Sequence, residues 1–141
     1  MNQSPIFFKY KEYGLYPLLA GYNNDAGRDL LLPARVVVPP FDYVKVPLGI
    51  SVKLPEPRND FEVPMLKLEA RSSTVENFHV LALPGIVDYG YNGELMAVLV
   101  NFTPTEKELP VLARTHQAVL YWCAKQPSND KERNNNGFGS T

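Results

Sequence analysis

The 141 residues contain one cysteine, so no internal disulfide can form. Its place directly after Trp122, at the end of an apolar run, predicts that Cys123 is a small packed side chain. No stretch approaches the roughly 18 consecutive apolar residues of a membrane-spanning helix. The opening segment MNQSPIFFKYKEYG also lacks a charged start followed by a long apolar run. A soluble intracellular protein with no membrane partner is expected, and the sequons at Asn2 and Asn101 should then be chance. An excess of charge is missing too. Fourteen basic against fifteen acidic side chains leave a net charge of −1, which excludes the basic footprint of a protein that grips nucleic acid. An anionic ligand would have to be held locally, by some of only six arginines: Arg28, Arg35, Arg58, Arg71, Arg114 and Arg133. There is no internal repeat and no sustained 3.6-residue apolar period.

A period of two is plentiful. In YVKVPLGISVKLP the residues Val44, Val46, Leu48, Ile50, Val52 and Leu54 occupy every second position, the pattern of a strand with one buried face. Shorter β-branched or aromatic runs stand at 35–39, 78–83, 95–102 and 116–122, and most of the thirteen prolines fall between them. One helical turn is expected, at SSTVENF after Arg71. These runs predict an all-β, single-domain sandwich or jelly-roll-like barrel of about eight to ten strands. The domain should cover 1–124, with 125–141 as a flexible C-terminal tail.

Four stretches can carry chemistry. In LPGIVDYGYNGELMAVLVN a strand ends at Ile86 and Val87 and another resumes at Leu95. Asn92–Gly93 predicts a tight reversal, hence a β-hairpin with Asp88 and Tyr91 at its mouth. Such a mouth can present backbone N–H and C=O groups to a planar base while a tyrosine ring packs on a sugar, although turn and edge roles suit the same residues. EARSST (69–74) offers a forked donor, Arg71, with the hydroxyls and amides of Ser72 and Ser73, a set suited to phosphate oxygens and also common in surface turns. In NNDAGRDLLLP, Asp25, Gly27 and Asp29 suit either a turn or a hydrated metal ion. ARTHQAVLYW begins with Arg114, His116 and Gln117, for which a surface strand is the default. Beyond them the chain ends in NNNGFGST.

In this order and spacing, AGRDL, ARSS, GIVDYGYNG, RTHQAVL and GFGST resemble the five motifs of the trimeric dUTPase family, from about Asp25 to Thr141. The resemblance implies a dUTPase-type fold that hydrolyses dUTP to dUMP and pyrophosphate with Mg2+, limiting uracil in DNA. It also implies a homotrimer whose active sites are shared. Residue by residue, Asp88 matches the aspartate that activates water, and Tyr91 matches the tyrosine beneath the deoxyribose. The backbone of Gly85, Ile86 and Met96 matches the uracil-reading positions. Arg71, Ser72, Ser73 and Gln117 match phosphate-facing positions, and Asp29 the carboxylate that holds Mg2+ through water. Arg114 falls on a site-supporting arginine. The tail becomes a lid, with Phe138 stacked on uracil and Arg133, Gly139, Ser140 and Thr141 on the phosphates. Departures from the pattern are Asn134 and Asn136 for glycines after the lid arginine, Ala70 for a proline, Arg28 for an apolar or aromatic residue, and His116 for a small one. Two other readings remain open: a binding or signalling module of this fold without turnover, and a dCTP deaminase. The deaminase needs a glutamate where this chain has Val98.

Overall fold

The computed structural model describes residues 26–127 in full, and the two strands at 7–10 and 15–17 by their backbone. Along the chain run β1 (Phe7–Tyr10), β2 (Leu15–Pro17), β3 (Gly27–Leu31), β4 (Val36–Val38), β5 (Tyr43–Pro47), β6 (Ile50–Lys53) and β7 (Glu62–Ala70). They are followed by the helix α1 (Ser72–Phe78) and then β8 (Leu81–Ala82), β9 (Gly85–Val87), β10 (Met96–Val100), β11 (Lys107–Leu109) and β12 (Arg114–Ala124). The strands hydrogen-bond in four sheets, β2-β1-β6, β5-β10-β8, β11-β4 and β3-β12-β7-β9. The all-β expectation holds, with one short helix at the expected SSTVENF. The barrel does not: among the described residues each sheet is open, and twelve strands stand where eight to ten were expected.

Period two explains the core. Leu30, Leu66, Leu68, Val87 and Ala118 from the four-stranded sheet join Val36, Val38, Ile50, Val52, Ala97 and Leu99 in one buried cluster. The long alternating run 44–54 turns its apolar side inward as predicted, but it is two strands in two sheets. The chain breaks at Gly49, whose φ of 76° is cheap only for glycine. The amide of Gly49 donates to the Glu94 carboxylate at 2.7 Å. The run 78–83 shrinks to β8, because the helix takes Phe78 and its cap, His79, adopts a left-handed φ of 56°.

The predicted hairpin also changes. β9 pairs with β7 and β10 pairs with β5 and β8, so its two arms belong to different sheets. The reversal lies at Asp88–Tyr91, where the Tyr91 amide donates to the Asp88 carbonyl at 3.1 Å and Gly90 has a φ of 91°. Asn92–Gly93 is not that turn. Leu95 then donates to the Ile50 carbonyl at 2.8 Å, which carries the chain across to the second sheet.

Asn101 is 1% exposed, and its amide donates to the carbonyls of Val38 and Thr105. A sequon sealed in this way has a structural use. Cys123 donates to the Val63 carbonyl as a packed thiol. Asn2 lies outside the described residues.

Candidate active site

The four-stranded sheet brings three of the motifs together at one end. Asp29 on β3 is the register partner of Gln117 on β12, which is the partner of Glu69 on β7, so the three side chains share one face. One residue past the end of β7, Arg71 reaches back so that its Nε is 2.9 Å from Asp29 Oδ1. Arg114 Nη1 is 3.3 Å from the other oxygen, Oδ2. Arg71 Nη1 also donates to Ser73 Oγ at 3.0 Å and, at 3.4 Å, to the Arg114 carbonyl. Gln117 Nε2 donates to the Ala70 carbonyl at 3.3 Å. The Asp29, Arg71 and Arg114 side chains are 32%, 26% and 62% exposed. Ion pairs this accessible contribute only about 0–1 kcal/mol each to folding. Their consequence is spatial: two guanidinium forks and an amide are held on one accessible patch, a donor set suited to an oligoanion.

Gly27 belongs to this patch for a steric reason. A Cβ there would stand 2.2 Å from Gln117 Oε1 and 3.0 Å from its Cδ, so the Gln117 side chain lies over the glycine.

Residues of the third motif lie around the Asp88 turn. Asp88 is exposed, and β9 is an edge strand, with one side of Gly85–Val87 outside any ladder and Ile86 58% exposed. Met96 opens β10 and is half-buried. Tyr91 is only 9% exposed and belongs to the core cluster; its hydroxyl donates to the Glu94 carbonyl at 3.0 Å. A Cβ on Gly93 would be 2.5 Å from that hydroxyl oxygen, so Gly93 makes room for the ring.

The two groups are far apart within one chain. Asp88 follows the Leu66↔Val87 pair and so lies level with position 65 of β7, six positions from Arg71. At about 3.3 Å per residue this is on the order of 20 Å. A base and the phosphate it serves must come within hydrogen-bond reach of one water. Arg133, Phe138, Gly139, Ser140 and Thr141, and Asp25 of the first motif, lie outside the described residues.

Among the described residues no group of three or more metal-ligating side chains gathers. The donor set fits a cation in one way only. Both Asp29 oxygens face guanidinium groups, which leaves their remaining lone pairs for water in a metal's hydration shell.

His116 does not lie on the surface. It is 1% exposed, as are its neighbours Thr115 (0%) and Thr74 (1%), none of which the motif reading places in a buried role. The available signal was that Thr74, Thr115 and His116 stand beside two phosphate-type motifs.

A sequence model of the dUTPase family matches residues 17–141. A deoxyuridine 5'-triphosphate nucleotidohydrolase of Orientia tsutsugamushi (strain Boryong) is 30% identical over 129 residues, covering 84% of this chain and 83% of its own. One from Bifidobacterium longum subsp. infantis is 31% identical over 137 residues, covering 89% and 83%. In fold, the chain is similar to a mutant dUTPase of phage phi11 of S. aureus, described with a structural Mg(II) ion (TM-score 0.72, 16% identity, 92% and 98% covered). It is also similar to the native EIAV dUTPase (TM-score 0.62, 21% identity, 91% and 99% covered). A family match over almost the whole chain means that the chain belongs to the dUTPase family.

Proposed function

We propose that the protein hydrolyses dUTP to dUMP and pyrophosphate. Family membership supports the reaction class, and one observation supports the division of labour: the Asp29–Arg71–Arg114 patch, with Ser73 and Gln117 beside it, holds donors for an oligophosphate on an accessible face. Asp88 accepts a proton from water as its oxygen forms a bond to the α-phosphorus; the bond from that phosphorus to the oxygen bridging the β-phosphate breaks, and pyrophosphate leaves. Arg71, Ser72, Ser73 and Gln117 hold the phosphates. The backbone of Gly85, Ile86 and Met96 reads the uracil, and the Tyr91 ring closes the space beside C2' against a ribose hydroxyl. Asp29 would hold Mg2+ through water, and the ion when bound supplies positive charge to the triphosphate.

The roughly 20 Å between Asp88 and Arg71 supports a site assembled from two copies, hence the homotrimer with shared sites. The domain is taken as 1–124 and the tail 125–141 as a lid, in which Phe138 covers the base and Arg133, Gly139, Ser140 and Thr141 meet the phosphates.

Pyrophosphate release from dUTP with Mg2+ tests the reading. The unaltered chain should turn over, while Asp88→Asn and a chain ending at residue 133 should each lose on the order of a hundredfold in kcat with the fold intact. A wild-type chain that releases no pyrophosphate, or an Asp88→Asn variant above half of its rate, removes the proposal.

A further inference from the structure

Three of the four polar side chains buried among the described residues form one connected row: Thr74, Thr115 and His116. Its centre is a bulge. The β12–β3 register passes from Arg114↔Leu31 to His116↔Leu30, so Thr115 is an extra residue left out of that pairing. Thr74 Oγ1 donates to both carbonyls of the bulge, Arg114 O at 3.2 Å and Thr115 O at 3.0 Å, as one shared hydrogen. On the other side His116 Nε2 is 2.8 Å from the Leu83 carbonyl and Nδ1 is 3.1 Å from Thr115 Oγ1. A carbonyl can only accept, so Nε2 carries the hydrogen; the neutral ring then offers the Nδ1 lone pair, to which the Thr115 hydroxyl donates.

The two ends of this row fall on the two half-sites that one chain offers, the phosphate patch and the base-reading edge. Thr74 directly follows Arg71, Ser72 and Ser73, and the Arg114 carbonyl that it holds also accepts from Arg71. Leu83 stands two residues before Gly85, where the edge strand begins. Apolar side chains would fill this interior without needing partners, so stability gives little reason for three buried polar groups in sequence-distant elements. We propose that Thr74, Thr115 and His116 are positioning residues, fixing the Arg71–Ser73 turn against Arg114 at one end and the Leu83–Ile86 edge at the other. This rests on the nucleotide site proposed above and adds to it the residues that hold in place the two half-sites one chain contributes.

Thr74→Val keeps the shape and removes the donor; Thr74→Ser keeps the donor and removes a methyl. Calorimetric titration of each folded protein with inorganic pyrophosphate should show affinity falling about tenfold in the valine variant and staying within about twofold in the serine variant. His116→Leu should raise KM for dUTP and leave pyrophosphate affinity unchanged, whereas His116→Gln, which retains an amide donor toward Leu83, should recover part of that KM. A valine variant that melts at lower temperature but binds pyrophosphate as the wild type does would reduce the row to core packing and overturn the proposal. A difference between the valine and serine variants in a protein that never hydrolyses dUTP would uphold the positioning role and reject the reaction instead.

Discussion

At Gly27 the chain can be tested with a single methyl group. The Cβ of an alanine would press into the Gln117 amide, 2.2 Å from Oε1, so the side chain has to leave the place it takes beside Ala70. Alanine costs a strand nothing in backbone freedom and by that measure is slightly favourable. Gly27→Ala should therefore leave the melting temperature unchanged or raised while kcat/KM for dUTP falls about tenfold. The double variant with Gln117→Ala should be no worse than Gln117→Ala alone, because the two act through one group. Additive losses would show that Gly27 acts through something other than Gln117. This residue also shows what the sequence discloses. Gly27, Asp29, Arg71 and Gln117 were each legible as members of motifs, but a motif does not say that the glycine is small because the glutamine lies on it. The same holds for Gly93 beneath Tyr91, which the Asn-Gly pattern assigned to a turn that the chain makes at Gly90 instead.

Among the described elements, β12 pairs at more positions than any other strand, with β3 on one side and β7 on the other. Its buried His116 makes the strand sensitive to acid. Burial pushes the His116 pKa down from its ordinary value, and the Leu83 carbonyl opposes this without cancelling it. Between the lowered folded value and the unfolded value near about 6.5, the unfolded chain binds more protons than the folded one, so stability rises with pH across that window. Cooling this to a prediction, denaturant midpoints of the wild type should fall as pH drops below about 6.5, and His116→Gln should flatten that part of the curve. Parallel curves for the two proteins would mean that His116 is not the group responsible. Sequence legibility divided along similar lines. The run that holds β5 and β6 was readable, as one strand, because its apolar residues alternate cleanly, β10 because it is a β-branched run, and α1 because a polar, small-residue stretch followed a strand end. Of β7, inside the main sheet, only the end at Glu69–Ala70 was legible: Pro64 and the charges of Glu62, Lys67 and Glu69 hide Leu66 and Leu68, whose alternation is what buries it. Which strands share a sheet was not legible, since pairing depends on contacts distant in sequence.

For the whole molecule the question is whether one chain can complete a site. Ala124 of β12 pairs with Glu62, and the Lys125 amide donates to the Phe61 carbonyl at 2.9 Å. The described chain therefore departs from the sheet at the end nearer Asp88, while Arg71 and Asp29 occupy the other. An interior strand cannot bend far enough to close about 20 Å, but a symmetric assembly can set the Asp88 end of one copy against the Arg71 end of the next. Two inactive variants should then complement each other. On the proposed roles, Arg71→Ala would spoil the phosphate half of a site and Asp88→Asn the water-activating half, so a mixed assembly would contain sites that draw the intact half from each kind of chain. With equal amounts and random assembly, about a quarter of sites combine an intact Arg71 from one copy with an intact Asp88 from its neighbour in a closed ring. Co-expressed variants should accordingly recover about a quarter of wild-type pyrophosphate release, and light scattering should give three times the chain mass of 15.9 kDa. A mixture no more active than its two components, from particles of single-chain mass, would place the whole reaction within one chain and leave the sharing of sites without support.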